Sequence, residues 1–370
     1  MFHTILTLSY IIPGVYLFVR IWQLFIPRIY RIWYVLIYAI LFSVYPVSNL
    51  LGKAGSGTAA RISDEIANYL LPFFLYFFLI VLLTDLLLLI NLVLKIVQRE
   101  KIRRMLRSGR ALFIIICLSL TVVIAGIINF NTIRISEYRI NVPARSSDLK
   151  MLKLAFVSDF HLQETTPAGF VEKFVNKIRT INPDLVLYGG DIVEGDREDE
   201  AMGNFENLLS DVRAKYGVYG VLGNHEHYAR QDTGSFFNKS GITILRDSVV
   251  FFNNSFILAG RNDSHLRSRM SVDELMKLIP GSLPVILVDH RPTEIDQVSK
   301  TRVDIQLSGH THNGQLFPIN LITKKVYKLS WGYRKIGNTH FFVSSGIRLW
   351  GPPVRTTGKS EIMVIDISFI

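Results

Sequence analysis

A chain of 370 residues with 49% hydrophobic content and a formal net charge of +11 has room for two or three domains and is unusually apolar for a soluble protein. Its charge excess does not read as a nucleic-acid footprint. Residues 1–130 hold 12 Lys/Arg against 4 Asp/Glu, whereas residues 131–370 hold 29 against 26 and show no basic stripe with interleaved aromatics. The single cysteine, Cys117, lies in an apolar run, which excludes internal disulfides and Cys-rich zinc sites.

Four apolar stretches near residues 4–26, 33–52, 69–95 and 111–129 are of the length a bilayer-crossing helix requires, and they predict an all-α transmembrane bundle over 1–130. Pro13 and Arg20 interrupt the first, and Arg20 is placed to snorkel from its end. A signal peptide is the alternative there, but no basic residue precedes the run and no small-residue cleavage site follows it. Arg28 and Arg31 lie between the first two stretches, and Lys95, Arg99, Lys101, Arg103, Arg104, Arg107 and Arg110 between the last two. The middle connection has only Lys53 and Arg61, balanced by Asp64 and Glu65. Positive-inside bias then predicts a multi-pass cell-membrane protein with both termini and the C-terminal domain on the exoplasmic side. Asp85, inside the third stretch, has no obvious partner and reads as a polar contact facing the bundle. The basic run 95–110 reads as a topology determinant before it reads as a lipid-headgroup patch.

Residues 131–150 read as an extended linker or edge strand, and 151–370 as an α/β domain. Strand-like runs recur at 153–158, 184–188, 217–222, 255–260, 283–288, 304–308, 340–344 and 361–367, with helix-compatible stretches at 168–181 and 271–279. Alternating elements of this kind predict layered sheets flanked by helices.

Five of these strands run into short polar motifs: Asp159-Phe160-His161, Gly189-Gly190-Asp191, Gly223-Asn224-His225-Glu226, Asp289-His290 and Gly309-His310-Thr311-His312. Ligand groups gather at the carboxyl ends of strands in α/β sheets, so five such ends can converge although they span more than half of the domain. Three Asp/Asn oxygens and four imidazoles suit two divalent cations sharing one carboxylate, and the absence of thiolate points to Mn, Fe or Zn. Such a pair generates hydroxide at neutral pH and clamps a phosphoryl group.

The ordered set resembles the calcineurin-like metallophosphoesterase family over about residues 150–365, and within it the membrane-associated bacterial branch. That branch often carries GHTHGGQ, where this chain has Gly309-His310-Thr311-His312-Asn313-Gly314-Gln315. A second departure is Asp289, which precedes His290 where a small polar residue is more usual; this carboxylate could adjust the charge at the metals or face away. The closing stretch, Ser345-Gly346 through Pro353-Val354-Arg355 to Glu361, is also similar to that branch.

The resemblance implies a layered β-sandwich flanked by helices and a set of residue roles. Asp159, His161 and His312 would hold one metal, Asn224, His290 and His310 the other, and Asp191 would bridge them. A metal-bridging hydroxide would attack phosphorus, and His225 would stabilise the transition state or protonate the leaving oxygen. Arg261, Arg291, Arg348 and Arg355 are candidates to grip a substrate phosphate, although each also reads as a packing or surface residue. His227 reads as a nearby surface residue, and Trp331 and Trp350 as core, with an acyl chain or the bilayer as the alternative they would face.

The function this predicts is membrane-anchored hydrolysis of a phosphodiester or pyrophosphate bond, with membrane lipids as surroundings and a phosphoester as substrate, a lipid-linked one being among the candidates. One alternative is a UDP-diacylglucosamine-type pyrophosphate hydrolase of lipid A synthesis. Others are a non-catalytic sensor or scaffold, or a transporter using Asp85. No nucleic-acid partner is expected, and the oligomeric state is left open.

Overall fold

A computed structural model describes residues 2–54, 57–194, 200–228, 234–279 and 281–370. They fall into two units, Met1–Ile128 with Gly351–Thr356, and Asn129–Trp350 with Thr357–Ile370.

The first unit is helical: α1 (Phe2–Leu24), α2 (Arg31–Ala54), α3 (Thr58–Leu94), α4 (Arg99–Arg107) and most of α5 (Arg110–Asn131). Among the described residues, three helical segments are long and apolar enough to cross a membrane: Arg28–Gly52, Thr58–Leu94 and Arg110–Asn131. The stretch predicted at 4–26 forms α1, and the side chains of residues 1–8 lie outside the described set. Helix α3 runs 37 residues rather than the span of 69–95. Good helix formers at Ala59, Ala60, Glu65 and Ala67 carry it back to Thr58, where Gly57 caps it. The unit's core joins Leu17 and Ile21 of α1 and Phe25 just after it to Phe77 and Val81 of α3, Leu106 of α4 and Ile115 of α5.

Asp85 is not isolated, which corrects the sequence expectation. Arg20 Nε donates to its Oδ2 at 2.6 Å, and Arg20 Nη2 and Tyr16 Oη donate to the same carboxylate. Arg20 is thereby held inward rather than snorkelling. A charge among apolar helices is tolerated once paired, and residues on two different helices supply the pair.

The second unit is a sandwich of two six-stranded mixed sheets. The chain enters it through β1 (Ile133–Val142), a ten-residue edge strand parallel to the last strand, β12 (Ser360–Phe369). Antiparallel to β12 lies β2 (Met151–Val157), followed in parallel by β3 (Leu185–Gly189), β4 (Val218–Val221) and β5 (Thr243–Ile244). The second sheet pairs β6 (Ser248–Phe252) antiparallel to β7 (Phe256–Gly260). It continues in parallel through β8 (Val285–Val288), β9 (Ile305–Ser308) and β11 (Thr339–Val343), with β10 (Gly332–Ile336) antiparallel at its far edge. Alternate residues of both sheets, among them Leu154, Phe156, Leu187, Leu258, Ile286, Leu307 and Phe342, fill the space between them.

Helices cover the outer faces. Helix α6 (Ala168–Ile181) buries Phe170, Val171, Phe174, Val175 and Ile178, the spacing of one helical stripe, in the same cluster as Ala155 and Val157 of β2. Helix α7 (Glu200–Ser210) joins it through Phe205 and Leu209. On the other sheet, α10 (Val272–Lys277) starts with a capping box between Ser271 and Glu274 and buries Val272 and Leu275. The short α8 (Asn224–Tyr228), α9 (Gly234–Lys239), α11 (Ile295–Val298) and α12 (Ile319–Val326) complete the unit. All five polar motifs leave the carboxyl ends of β2, β3, β4, β8 and β9.

Candidate metal centre

Backbone geometry at these strand ends departs from the ordinary. Asp159, His161, Asp191, His310 and His312 all hold φ between +45° and +69°, the left-handed region that costs an L-residue about 1–2 kcal/mol. Glycines let the loops close on one another. A Cβ on Gly190, itself at φ +91°, would lie 2.6 Å from His290 Nδ1, and one on Gly309 would lie 2.4 Å from Asp159 Oδ2.

Two triads result. Ligand atoms of Asp159, His161 and His312 lie within 4.8 Å of one another, as do those of Asp191, His290 and His310; His161, Asp191 and His225 form a third such group between them. Asp191 faces both sides, with Oδ2 3.1 Å from His290 Nε2 and 4.0 Å from His161 Nε2. Ser158 Oγ and the His310 amide donate to the Asp159 carboxylate, at 2.5 and 3.0 Å.

The histidine tautomers follow from their outer partners. His290 Nδ1 is 2.7 Å from the Gly189 carbonyl and must donate to it, so a neutral ring turns the Nε2 lone pair toward the Asp191 carboxylate. His161 Nδ1 is 2.6 Å from Glu194 Oε2, which turns its Nε2 lone pair toward His312 Nε2 at 3.4 Å. Asn224 is buried, and its Oδ1 has no hydrogen-bond partner among the described residues. Lone pairs facing one another and an orphaned buried amide oxygen are what a cation would reconcile, so the residues present fit the binuclear set.

Charge balance points the same way. Burial pushes the Asp159 carboxyl up, with neighbouring Asp191 adding to that effect. Asp191 also suffers from burial, yet His290, with help from His161 and His225, holds it well below the ordinary carboxylate range. Burial pulls the His290 ring down, but Asp191 and Asp159 outweigh it and raise the ring to about 10. His310 is driven down to about 3 by burial and by the charge on His290 and Arg291.

Two acidic residues given no role in the sequence analysis organise this centre: Glu194, outside every motif, and Glu226, which closes the third. Glu194 accepts from His161 Nδ1 and, at 2.8 Å, from His225 Nδ1; burial opposes its charge, but the two imidazoles hold it at about 2. Its position three residues after Asp191, on the same strand-end loop, was the available signal. Glu226 is buried and collects the amides of Asp191, Ile192, Val193 and Gly223, tying the β3 and β4 loops together. His225 lies edge-on to His161 with ring centroids 4.7 Å apart. Burial lowers its affinity for a proton, but Glu194 and Asp191 outweigh that and raise it.

The arginines separate. Arg261 is fully buried, bonded to Asp289 Oδ2 at 2.9 Å and Glu294 Oε2 at 2.7 Å. Asp289 also accepts from Arg269, so it faces away from the triads. Arg348 is buried with its guanidinium 4.8 Å from both the Phe130 and Phe170 rings. Arg355 is buried in the first unit, its amide bonded to Gly126 O. Arg291 is 22% exposed, bonded to Asp263 at 2.8 Å, and close enough to lower His310. His227 is half-buried, its ring stacked at 6.4 Å on His265. Trp331 packs as expected, its Nε1 on Glu361, but Trp350 is 48% exposed with its ring 6.4 Å from that of His225.

Paired triads sharing an aspartate, on a two-sheet α/β sandwich, define a metallophosphoesterase-type domain. Residues 152–314 match the family model described as calcineurin-like phosphoesterase. It is 34% identical over 225 residues to an uncharacterized metallophosphoesterase of Helicobacter pylori, covering 59% of this chain and 60% of that one. To a metallophosphoesterase of Aquifex aeolicus it is 29% identical, covering 64% of this chain and 92% of the relative. A transmembrane protein with metallophosphoesterase domain from Danio rerio is 28% identical over 74% of this chain and 67% of its own length. The match thus spans about three-fifths of the Helicobacter relative. Apolar helices here and a transmembrane relative together associate the chain with a membrane.

Proposed function

We propose that the chain is a membrane-anchored, binuclear-metal phosphoesterase that cleaves a phosphodiester or pyrophosphate bond. The observation carrying this is the pair of triads hinged on Asp191. Asp159, His161 and His312 would hold one cation, Asn224, His290 and His310 the other, with Asp191 common to both. When bound, the cations acidify a water toward neutrality and offset charge on the phosphoryl oxygens. Mn, Fe and Zn all suit this donor set.

The chain's own residues supply the rest. Glu194 fixes His225 through Nδ1, so that Nε2 carries the transferable proton to the leaving oxygen. Of the four candidate arginines, Arg291 combines exposure with proximity to a triad and is the one assigned to the substrate phosphate. Support for a lipid-linked substrate comes from apolar surface following the His312 loop. Phe317, Leu321, Ile322 and Val326 are 49–68% exposed, and Trp350 stands beside His225.

The test is hydrolysis of bis-p-nitrophenyl phosphate and p-nitrophenyl phosphate by the full chain in detergent, stripped with chelator and refilled with Mn, Zn, Fe or Mg. Asp191→Ala should retain the fold and lose metal-dependent turnover by at least about a thousandfold, since both cations lose a ligand. Full activity in that variant would sink the assignment. A folded chain that binds no metal would favour the scaffold reading instead.

A further inference from the structure

Away from the triads, the helical unit contains a cavity of about 710 Å³ where α3 turns into α4. Asn91, in the last turn of α3, holds this turn rigidly: its Nδ2 donates to Val97 O at 2.9 Å and its Oδ1 accepts from Val97 N at 2.7 Å. Lys95 caps α3 in the left-handed conformation, and the chain reverses into α4. That helix reads REKIRRMLR. Leu106 is buried and Ile102 packs in the same core, so one face of α4 is anchored to the bundle. Arg99, Arg103 and Arg107 recur every fourth residue, so they form a single stripe. All three line the cavity with Lys95, together with Leu88 and Leu92 of the apolar α3. None of the four cations has an acidic partner among the described residues.

We infer that this cavity is a binding site for one anionic phospholipid, its phosphate held by Lys95, Arg99, Arg103 and Arg107 and its acyl part lying along Leu88 and Leu92. Two features separate this from the diffuse attraction any basic loop has for a membrane. The cations are arranged on a fixed stripe around a recess rather than spread over the helix: Lys101 and Arg104, on the same helix, do not line it. The recess also joins a cationic end to an apolar wall, which matches the two-part chemistry of a phospholipid and not that of a free anion.

Full-length protein in detergent micelles, examined by native mass spectrometry, tests this with dioctanoyl phosphatidylglycerol, dioctanoyl phosphatidylcholine and inorganic phosphate as probes. One phosphatidylglycerol should be retained, at least about tenfold more tightly than either other probe. Arg99→Gln with Arg103→Gln should weaken it about 25-fold, each basic residue near an anionic headgroup contributing a factor of about five. Lys101→Gln with Arg104→Gln removes the same charge and should change it less than twofold. Equal weakening in the two double variants would reduce the site to diffuse attraction and overturn the inference. So would equal retention of phosphatidylcholine, and phosphate binding as tight as the lipid would leave a free-anion site only. If the lining double variant fails to fold, Leu92→Trp fills the apolar wall without touching a charge; unchanged phosphatidylglycerol binding there would equally refute it.

Discussion

His225 owes its chemistry to a residue outside the motif that contains it. Burial by itself disfavours the protonated ring, and the hydrogen bond that His225 Nδ1 donates to Glu194 opposes that. An imidazole acting as acid works only while protonated, so activity falls as pH rises through its pKa. Raising that pKa extends activity toward alkaline pH. Glu194→Gln removes the largest raising contribution, and the alkaline limb of kcat/KM should move to lower pH. The loss of rate along that limb should be greater with a phenyl than a nitrophenyl leaving group, whose departure needs the proton less. Metal content measured alongside separates this from loss of His161 orientation, and an unmoved limb at full occupancy would refute the role given to His225. Motif spacing made the triad residues legible because each sits at a strand end. Glu194 escaped, and Glu226 had no role assigned although its motif was read, because their work is to bond other loops. Asn313, by contrast, departs from the family pattern at small cost: it sits at φ +48°, where glycine is easiest and asparagine next.

At the level of elements, strands buried on both faces were readable within a residue or two, β3, β8 and β9 among them, because their apolar runs are continuous. Edges were harder. The ten residues of β1 alternate polar and apolar, and the partner that makes them a strand, β12, begins more than 200 residues later. Strand β10 was invisible for a related reason, its central residues being exposed. In the helical unit, the Arg20–Asp85 pair joins α1 to α3 across 65 residues of sequence, which no local pattern reveals. Removing one partner leaves a charge among apolar helices, so Arg20→Leu should destabilise the bundle by about 3 kcal/mol. Adding Asp85→Leu should recover most of that loss. Thermal unfolding in detergent measures both, and a double variant no more stable than Arg20→Leu would show that the pair does not link the helices.

For the molecule as a whole, the distribution of basic residues makes a claim about sidedness that constrains substrate. Arg28 and Arg31 lie at the start of α2, and seven basic residues run from Lys95, just after α3, to Arg110, at the start of α5. Where α2 ends and α3 begins the sequence is nearly neutral, with Lys53 and Arg61 set against Asp64 and Glu65. Positive-inside bias would retain the first and third connections in the cytoplasm, and the expectation is then that the segment after α5 emerges on the exoplasmic side. A UDP-linked lipid precursor made in the cytoplasm would not meet an active site there, whereas glycerophospholipid headgroups of the outer leaflet would. Paired reporters fused after Ile370 read this directly: alkaline phosphatase, active outside, should be bright, and green fluorescent protein, which folds inside, should be dark. Replacing the basic residues between Arg99 and Arg107 with glutamine should weaken that contrast, because they dominate the bias. The opposite pattern in the unmodified chain would place the metal centre in the cytoplasm and make a nucleotide-linked lipid the substrate to test first.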